Sequence, residues 1–117
     1  MDSYKKPVPG LYPFWFWNGI EEEEELERQL RRMAEVGCKG VALHSRTGNK
    51  IEYLSDRWME LVRCACRCAR DLGLKIWLYD EDGYPSGNAG GKVQRLHPDL
   101  VQKNLRYDYS GTVPETG

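Results

Sequence analysis

The stretch Lys75-Ile76-Trp77-Leu78-Tyr79-Asp80-Glu81-Asp82-Gly83 decides most about the fold. A short apolar, β-favouring run passes directly into three carboxylates and a glycine. The run is too short for a helix and shows no polar alternation, so it reads as a strand buried on both faces. Asp80, Glu81 and Asp82 then fall just past its C-terminal end. Two earlier segments share this design. Phe14-Trp15-Phe16-Trp17 is stopped by Asn18-Gly19, and Gly40-Val41-Ala42-Leu43-His44 runs into Ser45-Arg46-Thr47-Gly48-Asn49.

Helical patterns separate the three runs. After Glu21 to Glu25, Leu26, Leu30 and Met33 recur at helical spacing, with acids in the first turn and Arg28, Arg31 and Arg32 later, as the helix dipole favours. Glu24 with Arg28 and Glu27 with Arg31 are i,i+4 pairs, and Gly37 is a natural stop. Asn18-Gly19 either turns the chain and caps this helix or places an amide at the strand end. A second helix starts near Ser55 as N-cap. Trp58, Leu61, Val62, Ala65, Ala69 and Leu72 lie on one face of it, and Gly73 closes it. Beyond the third strand lie a glycine-rich loop, Tyr84 to Gly91, and a short polar helix after Pro98.

The order is strand, helix, strand, helix, strand, with strand starts spaced about 26 to 35 residues apart. That pattern predicts an α/β fold with a parallel sheet and right-handed crossovers. An open doubly wound sheet and the start of an eight-stranded (β/α)8 barrel share it. The chain divides into an irregular lead-in at 1–12, a unit at 13–105 that is one or the other of these, a partial barrel if the second, and a tail at 106–117.

Composition narrows the function classes. The chain has 117 residues, with 17 Lys plus Arg against 18 Asp plus Glu and a formal net charge of -1. No basic footprint for nucleic acid exists, and no apolar run reaches the length of a membrane span. Cys38, Cys64, Cys66 and Cys68 are spaced poorly for disulfides, and the last three are expected to be small helical packing residues. A reducing, cytoplasmic setting follows as the expectation.

Ligands of parallel α/β folds bind at the C-terminal strand ends. The candidate binding residues are therefore Asn18, His44, Arg46, Tyr79, Asp80 and Glu81, an amide, an imidazole, a guanidinium, a phenol and carboxylates suited to a hydroxyl-rich ligand. Asp80-Glu81-Asp82-Gly83 opens like an EF-hand loop, but Pro85 stands where that loop needs glycine and Gly91 where it needs glutamate. Gly91-Lys92 ends like a phosphate-binding loop, yet Ser86 and Val93 break the motif. The dinucleotide fingerprint is missing.

Three blocks carry a family resemblance: Pro13 to Gly19, Gly40 to Arg46, and Tyr79-Asp80-Glu81-Asp82-Gly83-Tyr84-Pro85-Ser86-Gly87-Asn88-Ala89-Gly90-Gly91. In order and spacing they resemble the N-terminal barrel of α-L-rhamnosidase-like glycoside hydrolases, family 106. The resemblance implies a glycosidase acting on terminal deoxy-sugars of a carbohydrate substrate. It places the catalytic acid and base on later strands, leaves Glu81 as the single catalytic candidate of this stretch, and associates calcium with the full-length enzyme. A barrel takes roughly 250 residues, so the remainder is expected outside this chain. The isolated piece is then expected to be inactive, with Phe14, Trp15, Phe16, Trp17 and Trp77 partly wet. The competing reading is a small α/β binding module whose glycine-rich loop, Gly83 to Gly91, cradles a phosphate- or sugar-containing ligand without catalysis. A remnant that acts only by associating with a partner chain is a third.

Overall fold

Apolar spacing and charge placement produce the three strands and two long helices in the predicted order, but the short helix expected after Pro98 lies before it, at Lys92–Leu96, and only a 3-10 turn follows the proline. The computed structural model describes residues 8–19, 22–101 and 103–105, so the tail expected at 106–117 lies outside the described residues. Along them run β1 (Phe14–Trp17), α1 (Glu23–Glu35), β2 (Gly40–Ser45), α2 (Asp56–Asp71), β3 (Lys75–Asp82), α3 (Lys92–Leu96) and a 3-10 turn at Pro98–Leu100. The sheet is wholly parallel in the order β1-β2-β3.

Both long helices end in the same way, because each is followed by a glycine in the left-handed region. Gly37 has φ +89° and Gly73 φ +72°. In each case the glycine N–H and the next N–H turn back to the last helical carbonyls: Gly37 to Ala34 and Cys38 to Met33, Gly73 to Arg70 and Leu74 to Ala69. This motif satisfies groups the helix leaves open. It also buries Cys38 and Leu74 at the start of the next segment. At its other end α2 is capped by Ser55, whose hydroxyl accepts from the Trp58 N–H at 3.2 Å. α1 has Glu22 at its N-cap position and no side-chain cap, so Asn18 does not cap it. Arg28 pairs with Glu25 at 2.7 Å instead of Glu24, while Arg31 and Glu27 stand 4.0 Å apart.

The core corrects the sequence reading of the strands. β1 alternates: Trp15 and Trp17 are 3% and 0% exposed, whereas Phe14 and Phe16 are 59% and 45% exposed. Leu26 and Leu30 of α1 and Trp58, Leu61 and Ala65 of α2 pack with Trp15, Trp17, Val41 and Leu43 in one cluster. α1 also packs on α2. Both helices therefore cover the same sheet face, and among the described residues the other face has no covering layer. Trp15 and Trp17 are dry, contrary to expectation, because they share the parity that points at the helices. Phe14, Phe16 and Trp77 remain half-exposed, as expected of a chain with one face covered.

No helix among the described residues is long and apolar enough to cross a membrane. All four cysteines are free. Cys64 is buried and Cys68 partly so, but Cys66 projects into solvent, so the packing reading fails for that one residue.

Candidate functional site

Parallel pairing delivers all three C-terminal strand ends to one edge. Trp17 pairs with Ser45, and Ser45 with Asp82. On β2 and β3 the register slips: Leu43 faces Leu78, yet Ser45 faces Asp82. Tyr79, Asp80 and Glu81 thus lie opposite the single residue His44. This bulge extends β3 through the acidic stretch, which the sequence places beyond the strand. An added pair of residues re-aims side chains at this edge.

His44 is the centre of what results. Its ring is 3% exposed and lies 3.9 Å from the Tyr79 ring, with Phe16 at 5.6 Å and Phe14 at 6.2 Å. Nε2 lies 2.7 Å from the Gly83 carbonyl oxygen. A carbonyl only accepts, so Nε2 carries the proton and, in the neutral ring, Nδ1 is an acceptor. Nδ1 has no protein partner. The Arg46 guanidinium sits 4.9 Å over the Phe16 ring, a cation–π contact on the same aromatic layer. Asn18 is exposed, and its carbonyl lies 3.0 Å from where a Cβ on Gly48 would stand, so the β1 and β2 loops touch.

The three acids do not share a pocket. Asp80 is exposed and accepts from the Ser86 hydroxyl at 2.8 Å. Asp82 accepts from the Ser45 hydroxyl at 2.7 Å. Glu81 is 1% exposed, and its carboxylate accepts four backbone N–H groups, those of Asp82 at 2.9 Å, Asn88 at 2.6 Å, Ala89 at 2.7 Å and Gly90. Burial works to raise its pKa, but the N–H bonds from Gly90, Asp82, Asn88 and Ala89 outweigh it and hold the carboxyl below its ordinary value. A carboxylate so held stays ionised near neutrality and has no lone pairs facing a ligand. Glu81 therefore serves neither as general acid nor as a substrate contact.

The same bonds bear on the phosphate-cradle reading. The N–H groups that a glycine-rich loop offers to an anion are here already taken by Glu81. Lys92, the nearest cation in that reading, pairs with Glu52 at 3.1 Å. Nor do the acids suit calcium, which takes six to eight oxygen ligands. Among the described residues no group of three or more His, Cys, Asp or Glu is arranged to hold a metal.

Sequence reasoning missed Ser45 and Tyr53. Ser45 follows His44 directly, and pairing with the acidic strand makes it a donor there. Tyr53 is buried beside the same edge. Burial first, then the charges of Glu81, Asp80 and Asp82, push its phenol up. A cleft of about 250 Å³ runs from Asn49 past Tyr53, Asp82 and Gly90 to Lys92. A cavity of about 300 Å³ between α1 and α2 lies apart from the strand ends. Cys64 and Cys68 line it, and burial raises both thiols, which makes them poor nucleophiles.

No protein-family model matches this chain, and no curated protein matches it.

Proposed function

We propose that this chain supplies the first three βα units of a glycoside hydrolase barrel, α-L-rhamnosidase-like, that removes a terminal deoxy-sugar. One observation carries the reading: His44, Tyr79 and Arg46 meet at the C-terminal ends of parallel strands, beside a sheet face of exposed aromatics. Pyranosides present hydroxyls on their rims and apolar C–H faces. A phenol and a guanidinium answer the first, and Phe16, which pairs with His44 at the strand end, answers the second.

The sheet also supports the barrel. Strand order follows chain order and both helices cover one face, as in the outer ring of a (β/α)8 barrel. The uncovered aromatic face is then the interior, completed by later strands. Glycosidases need two carboxyl groups about 5 to 9.5 Å apart. With Asp80 and Asp82 tied to serines and Glu81 buried, that pair belongs to the later strands. Arg46 and Tyr79 bind the sugar, and His44, buried against the Tyr79 ring, sets the position of that phenol.

The test is release of nitrophenol from a nitrophenyl α-L-rhamnoside by the full-length gene product. Arg46→Ala is expected to weaken turnover on that substrate. Activity confined to unrelated substrates would overturn the proposal. The rival binding module predicts micromolar nucleotide affinity by calorimetric titration, where this reading expects none.

A further inference from the structure

We propose that Glu81 is the positioning residue of the site: its carboxylate fills the concavity of backbone N–H groups at Asn88–Gly90 in place of a bound anion, and so fixes His44 through the Gly83 carbonyl. Successive N–H groups converging on one point make an anion-binding concavity. Here they converge on Glu81, which belongs to the adjoining strand and is 1% exposed. Gly90, with φ +62°, supplies one donor, and a Cβ there would stand 3.3 Å from that of Asp82.

The loop closed in this way includes Gly83. The Gly83 N–H donates to the Ser45 carbonyl at 2.9 Å, and its own carbonyl takes the His44 Nε2 proton at 2.7 Å. Glu81 thus anchors the loop at 88–90 and the chain at Asp82, and Gly83 between them sets the imidazole. The outcome is a buried ring with Nε2 protonated, held 3.9 Å from the Tyr79 ring, whose phenol then faces the sugar. Only this last consequence rests on the proposed sugar site. The mechanical link does not.

The test uses the intact chain and its two histidines, His44 and His97. His97 is exposed, whereas His44 is buried. Acylation by diethyl pyrocarbonate, read by peptide mass spectrometry, reports each ring separately. In the native chain His97 reacts and His44 is protected. In Glu81→Ala, which removes all four N–H bonds, His44 reacts about tenfold faster or more, the factor that even one lost hydrogen bond to a charged group corresponds to. His97 stays unchanged.

Alkylation of buried Cys64 against exposed Cys66 checks that the helix core is intact in the same samples. If Glu81→Ala loses Cys64 protection, Glu81→Gln replaces it, keeping the shape without the charge. Acetate at high concentration is expected to restore His44 protection in Glu81→Ala, by re-occupying the vacated N–H groups, and to do nothing to the native chain. His44 protection unchanged in either variant with an intact core would overturn the proposal. So would exposure of His44 in Glu81→Ala that acetate does not reverse. Neither readout depends on glycosidase activity, so this inference and the sugar reading fail separately.

Discussion

Truncating the two end residues of β1 should give very unequal losses. Trp17 is 0% exposed and packs on Trp58 with ring centroids 6.4 Å apart. Phe14 is 59% exposed on the other sheet face. A large aromatic buries up to about 250 Å², so at about 25 cal/mol per Å² Trp17 contributes up to ~6 kcal/mol. Measured Trp→Ala losses run about 3 to 5 kcal/mol, and a small domain has only about 5 to 15 in all. Phe14 keeps about two-fifths of roughly 200 Å² from water, which gives ~2 kcal/mol as an upper bound. Trp17→Ala should therefore abolish most of the helical circular dichroism at low urea, while Phe14→Ala shifts the urea midpoint modestly and lowers hydrophobic-dye binding. Samples at micromolar concentration and below keep association out of the comparison. Equal losses for the two variants would refute the assignment of the strand faces. So would a larger loss for Phe14→Ala.

Three further outcomes are expected. The native 117-residue chain should bind a hydrophobic dye, self-associate with rising concentration in the ultracentrifuge and show no rhamnoside turnover, because one sheet face and both outer strand edges lack partners among the described residues. Glu81 has a folded pKa below its ordinary 4.5, so its contribution to stability is present above that pH and is lost as pH falls through the lower folded value. Amide exchange at Asn88–Gly90 should therefore accelerate in that acid window, and Glu81→Gln should remove the pH step. Ser55→Ala deletes the N-cap bond to Trp58 and should cost about 1 kcal/mol in a urea melt, whereas Ser55→Asp should retain stability.

Local chemistry made most of the backbone legible from residues alone. Ser55, Gly73, Gly37 and the 3.6-residue stripe of α2 act over a few residues, so their helix boundaries were readable without tertiary contacts. Three apolar runs separated by two helices likewise imply parallel pairing, since short hairpins are impossible at that spacing. Which strand residues are dry was not legible. Phe14-Trp15-Phe16-Trp17 is apolar at every position, and only the helices on one side of the sheet tell Trp15 and Trp17 from Phe14 and Phe16. The candidate residues were found as neighbours of strand ends, and His44, Tyr79 and Arg46 do share one aromatic layer. The fate of the acids was decided by a register slip and a loop returning from residues 88–90. Asp80, Glu81 and Asp82 are adjacent and chemically alike, so nothing local marks the middle one as buried. Four N–H groups, three of them seven to nine residues further along the chain, make that choice.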